Sequence, residues 1–121
     1  MDKEITKDVR IKKEISRLNS ICKNLEPNKK KMAEGIIKRS AYMKITLEDY
    51  ERDLDENGYV ELFSQSEKQE PYERERPVAR LYNTMNKNYQ SICKQIADML
   101  PAEIKKEKDD GFDDFIDGRD D

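Results

Sequence analysis

Apolar residues return along this chain at intervals of three and four, and the rhythm breaks where prolines and a glycine stand. From about Asp2 to Leu25 the apolar positions are Ile11, Ile15, Leu18, Cys22 and Leu25, a set that one side of a helix collects. "EPNKKK" interrupts that stripe. Pro27 suits the first turn of a second helix, where a missing N–H costs nothing. The second helix is predicted from Pro27 to Asn57, with a main stripe of Met32, Ile36, Met43, Leu47, Tyr50 and Leu54. Gly58 then stands where a helix C-cap belongs. "GYVELF", residues 58–63, alternates apolar and polar and reads as a short strand or extended arm. "SQSEKQEPYERER", residues 64–76, is polar, contains Pro71 and has no period, which predicts a loop or linker. Pro77 opens a third helix that Pro101 closes, with a stripe of Val78, Leu81, Tyr82, Met85, Tyr89, Ile92, Ile96 and Met99 or Leu100. Its other side shows Arg80, Asn83, Lys87, Gln90 and Lys94. The class is all-α: a helical hairpin plus a third helix, with one short extended segment.

The second helix carries apolar groups on a second face. At 100° per residue, Ala41, Tyr42 and Ile45 point roughly opposite the main stripe. Such a helix needs two partners. The partner of this second face is a third helix of the same chain or, as the shortage of apolar residues elsewhere favours, a neighbouring subunit, which makes Ala41, Tyr42 and Ile45 the predicted oligomer interface of a homo-oligomeric ring.

Composition sharpens this expectation. A chain of 121 residues with 42% charged and 35% apolar residues is poor in core material, so self-association is a natural source of stability. The chain divides into a helical oligomerisation and binding domain, 1–101, and an acidic segment, 102–121, expected to be largely disordered. Charge is segregated along it: the balance is +7 over residues 1–44, −7 over 45–76, +2 over 77–100 and −5 over 101–121. Cys22 and Cys93 fall in or beside apolar stripes and read as buried thiols. No apolar run reaches the ~18 residues that a membrane span requires, and the first residues lack the apolar stretch of a signal peptide, so a cytosolic protein is expected.

Catalytic chemistry is missing. Without a histidine the chain lacks the commonest general base and metal ligand. Its four glycines form no phosphate-cradling loop. Glu48, Asp49, Glu51, Asp53, Asp55 and Glu56 fan out around a helix instead of converging as a metal site would require. Neither an enzyme nor a cofactor is expected. What remains are surfaces. Lys12, Lys13 and Arg17 on the first helix join Lys29, Lys30, Lys31, Lys38, Arg39 and Lys44 on the second, with Lys87 and Lys94 of the third as a lesser set. Lysine and arginine clustered on helices are the electrostatic footprint of phosphate binding, so these are the candidate DNA contacts.

Two stretches, "AEGIIKRSAYMKITLEDYERDLDENGYVELF" and "ERPVARLYNTMNKNYQSICKQIADMLP", resemble the small subunit of phage terminases, that of long-tailed phages in particular. The shared pattern is a long helix with a Met/aromatic middle and an acidic end closing on Gly, then a short extended piece. A polar loop follows, and a helix that opens at Pro and ends at Leu-Pro. The chain differs from many such subunits in showing no helix-turn-helix module. The resemblance implies a non-enzymatic protein of the host cytoplasm that assembles into rings, binds double-stranded viral DNA and delivers it to a large subunit carrying ATPase and nuclease. The acidic segment then gains a role. Phe112, Phe115 and Ile116, set among aspartates, are expected to dock on that large subunit as one helical turn. The alternative is a helical adaptor that oligomerises and binds only proteins.

Overall fold

The computed structural model describes residues 6–101, which form three helices and one β-hairpin: α1 (Lys7–Ile21), α2 (Pro27–Asn57), β1 (Val60–Phe63), β2 (Tyr72–Glu75) and α3 (Pro77–Met99). The Thr6 side chain accepts a hydrogen bond from the Val9 N–H at 3.2 Å and so caps α1. That helix stops at Ile21 rather than at the predicted Leu25. The Cys22 N–H still reaches the Leu18 carbonyl at 3.0 Å, after which the chain turns and brings Leu25 inward outside the helix. Helix α2 has the bounds its sequence predicts. The Glu26 carboxylate accepts from the Asn28 N–H at 2.7 Å just before Pro27, and Gly58 closes the far end at φ 84°, in the left-handed region that favours glycine.

Helix α2 is the spine against which α1 and α3 pack. One core cluster gathers where the three helices meet near the start of α2: Leu18, Cys22, Leu25, Ala33, Ile37, Ile96 and Leu100. A second, Leu47, Tyr89 and Cys93, lies further along α2 and is flanked by Met43, Tyr50, Tyr82 and Met85. Each large side chain removed from water here stabilises the fold by about 1.5–3 kcal/mol. Both cysteines are free and buried, as their positions in the stripes predicted.

Three expectations are corrected. Met32, placed in the α2 core stripe, is 68% exposed, because Ala33 and Ile37 take the inward positions at that end. Leu81 of α3 is likewise exposed. Ala41 and Ile45, expected to face a neighbouring subunit, are buried within this one. Ion pairs from α1 reach Lys44, Glu48 and Asp49, the residues flanking Ile45, so α1 covers this side of α2. The second partner of the two-faced helix is thus α1. Only Tyr42 of the three stays open, at 50% exposure, with the Lys7 ammonium 4.5 Å from its ring centre.

The stretch read as a linker contains β2, which pairs antiparallel with β1 in the register Val60↔Glu75, Glu61↔Arg74, Leu62↔Glu73 and Phe63↔Tyr72. Cross-strand contacts hold it: Arg74 bonds Glu61 at 2.7 Å and lies 3.6 Å over the Phe63 ring, which meets Tyr72 edge-on at 6.0 Å. A two-stranded hairpin alone is marginal in water, so its base matters. Arg76 ties that base to α2, donating to the Gly58 carbonyl at 2.7 Å and to Asp53 at 2.9 Å, while its backbone N–H donates to the Tyr59 carbonyl at 2.8 Å.

Candidate nucleic-acid interface

The structure sorts the predicted basic residues into two groups. Arg17 and Lys44 belong to an ion network between α1 and α2. Glu14, 6% exposed, accepts two hydrogen bonds from Arg17 at 2.9 and 2.7 Å, and Lys44 stands 3.7 Å from it and 3.3 Å from Glu48. Arg10 extends the network to Glu48 at 3.0 Å and Asp49 at 2.7 Å. The Glu14 hydrogen bond raises the Arg17 guanidinium above its ordinary value against the opposing effect of burial, and the Asp49 bond does the same for Arg10. Arg10 and Lys44 bind α1 to α2, and Arg17 holds Glu14 from within α1. Arg17 and Lys44 are therefore withdrawn from the DNA-contact set, for a carboxylate inside the subunit already holds them.

Lys12, Lys13, Lys29, Lys30, Lys31, Lys38, Arg39, Lys87 and Lys94 are all exposed. The structure does not bring them to one place. Lys87 and Lys94, seven residues apart, share the solvent face of α3, and Lys12 and Lys13 sit on α1. The Lys30 ammonium donates to the Lys23 carbonyl at 3.3 Å and so helps cap the end of the α1 turn. The most continuous stretch is the outer face of α2. There Lys31, Gly35, Lys38 and Tyr42 follow each other at spacings of four, three and four, with Arg39 alongside and Lys7 stacked on Tyr42. Glu34 is the one acid between Lys29 and Lys44, and neither Lys38 nor Arg39 has an ion-pair partner among the described residues. A Cβ built on Gly35 would meet nothing within 4 Å, so packing does not require that glycine.

The acidic half of α2 does more than solvate the helix. Glu48 and Asp49 hold Arg10, Asp53 holds Arg76, and Glu51 accepts from the Tyr82 hydroxyl at 3.0 Å. Hydrogen bonds from Asn57 and then Arg76 hold the Asp53 carboxyl below its ordinary range. Among the described residues, no three His, Cys, Asp or Glu side chains converge as a metal site. No helix among them is long and apolar enough to cross a membrane.

One surface was missed in the sequence. Val60 and Leu62 leave one face of the hairpin apolar and open, with Leu62 at 72% exposure, while Tyr72, on the other face with Phe63, is exposed too, as are Tyr59 and Leu81. The alternation of "VELF" carried the signal, since Val60 and Leu62 must share a face. A depression of about 520 Å³ lies beside it, lined by Arg74, Glu75, Pro77, Arg80 and Leu81. Phe112, Phe115 and Ile116 lie outside the described residues. No family model matches the chain, and neither the curated proteins nor the solved structures contain a significant match.

Proposed function

We propose that this chain is a terminase small subunit: a non-enzymatic packaging protein that assembles into a closed ring, binds duplex viral DNA and passes it to the large subunit. The observation that carries the DNA reading is the outer face of α2, where Lys31, Lys38 and Arg39 stand exposed. Arg10 and Lys44, at the seam between α1 and α2, are instead held by carboxylates. Duplex DNA attracts such a row through its phosphates and needs no pocket. The exposed Val60 and Leu62 on one face of the hairpin support self-association, because apolar surface left open on a small domain marks a contact surface. A head-to-tail contact between identical copies closes into a ring when its rotation allows. A ring would repeat the basic face around its axis, so that weak single contacts add.

Light scattering after gel filtration, followed by a gel shift with random-sequence duplex DNA at low salt, tests the reading. An assembly of several subunits that retards DNA is the expected result. An assembly that leaves DNA unshifted favours a protein-only adaptor, and a monomer at micromolar concentration overturns the ring.

A further inference from the structure

Beside the basic face runs a shallow groove of about 420 Å³ between α2 and α3, lined by Lys38, Arg39, Tyr42, Met43 and Ile92. Its floor is apolar and its rim carries two cations that lack an acidic partner among the described residues. Met32 lies seven residues before Arg39, two turns back on nearly the same line of the helix, and its exposure extends the apolar floor toward the start of α2. A complementary ligand is apolar in the middle and anionic at its edges. Nucleic acid matches only the rim.

This chain contains such a segment. Phe112, Phe115 and Ile116 are interleaved with Asp109, Asp110, Asp113, Asp114 and Asp117, and one helical turn would bring the three apolar residues together. The geometry also permits the approach. Leu100 belongs to the cluster at the start of α2, and Ile92 lies eight residues back along α3, about 12 Å. The eleven steps of chain from Pro101 to Phe112 span up to ~36 Å when extended, so reach is ample.

We propose that residues 109–117 seat in this groove in cis, the aromatic turn on Tyr42, Met43 and Ile92 and the aspartates toward Lys38 and Arg39. The clamp covers part of the basic face of α2 and competes with any polyanion for it. Its consequence for DNA rests on the function proposed above; the clamp itself does not. A partner that captured the same aromatic turn would uncover the basic face, which couples partner binding to DNA binding through one mutually exclusive contact.

The full-length chain, with 13C-labelled Met and Ile methyls, tests the seating by comparison with its Phe112→Ala/Phe115→Ala variant. The Met43 and Ile92 methyl resonances should differ between the two proteins, through loss of the ring currents, while those of Ile37 and Ile96 in the core stay in place. Raising salt should move the wild-type resonances toward those of the variant. Identical Met43 and Ile92 resonances overturn the proposal. A labelled variant mixed with unlabelled wild type separates the two sources of the segment: a wild-type-like Met43 shift there assigns the groove to a second copy and overturns the in-cis seating. At low salt the double variant should bind duplex DNA about three- to tenfold more tightly, as expected when a state closed about 70–90% of the time is opened. If neither protein binds DNA, the DNA reading fails, and the methyl comparison still decides the clamp.

Discussion

Replacing Glu14 by Met removes the charge at the centre of the α1–α2 network while keeping most of the side-chain volume. The carboxylate is 6% exposed and takes two bonds from Arg17, with Lys44 at 3.7 Å. Breaking a fully buried pair by removing one partner costs about 3–5 kcal/mol. Here the cost is lower. The Arg17 side chain is 41% exposed and can turn to water, and Lys44 keeps Glu48 at 3.3 Å. About 2–3 kcal/mol remains after that discount. With a urea dependence of ~1–3 kcal/mol per molar, the unfolding midpoint should fall by roughly 1–2 M. Circular dichroism at one fixed protein concentration reads it, since association would otherwise shift the apparent stability. Glu14→Met combined with Arg17→Met should recover part of the loss, because the second change removes the guanidinium whose two hydrogen bonds the first breaks. A single variant within ~0.5 kcal/mol of wild type would refute the argument that this network fixes α1 and withholds Arg17 and Lys44 from other partners.

The same substitution at two glycines should have opposite signs in the same denaturation assay. Gly35→Ala, mid-helix with open space around it, should stabilise by about 0.5–1 kcal/mol, and Gly58→Ala, at φ 84°, should destabilise by about 1–2 kcal/mol. The Asp53 carboxyl, held low by Asn57 and Arg76, favours the folded state above its ordinary value of 3.8, and that contribution is lost as pH falls through the lower folded value. A carbon-detected titration should therefore find its midpoint below 3.8, and Arg76→Ala should move it up and speed amide exchange at Val60–Phe63 at least about tenfold. Burial pushes the Cys22 thiol up from 9.0, so the folded state keeps it protonated while the unfolded chain ionises, and stability should decline as pH rises past 9.0. Iodoacetamide at pH 8 should leave Cys22 and Cys93 intact in the native protein and modify both in urea, read by mass.

Local chemistry made the helices legible. Pro27 and Pro77 each mark a helix start, and Gly58 marks an end, because their backbone constraints act without help from distant residues. Strand β2 was not legible, since "YERE" has no apolar alternation and depends on partners such as Glu61, 13 residues away. The two-faced character of α2 was visible at Ala41, Tyr42 and Ile45, but the identity of the second partner was not. An apolar face of this kind admits a neighbour from either source, and the ion pairs that bring α1 there join residues 30 or more apart in the chain. For the candidate site the same limit applied. Lys38 and Lys44 look alike in sequence, yet one is open and the other is held by Glu14 and Glu48.

The central claim, a basic face on α2 that binds duplex DNA, is tested most directly by the salt dependence of binding. Each phosphate neutralised contributes about −0.9 to the slope of log affinity against log salt. Wild type should bind duplexes of unrelated sequence alike. Lys31→Gln/Lys38→Gln/Arg39→Gln should weaken binding on all of them and flatten the slope by about 2.7 per subunit engaged. An unchanged slope in that triple variant, with DNA still bound, would contradict the account and send the search to Lys87 and Lys94 on α3.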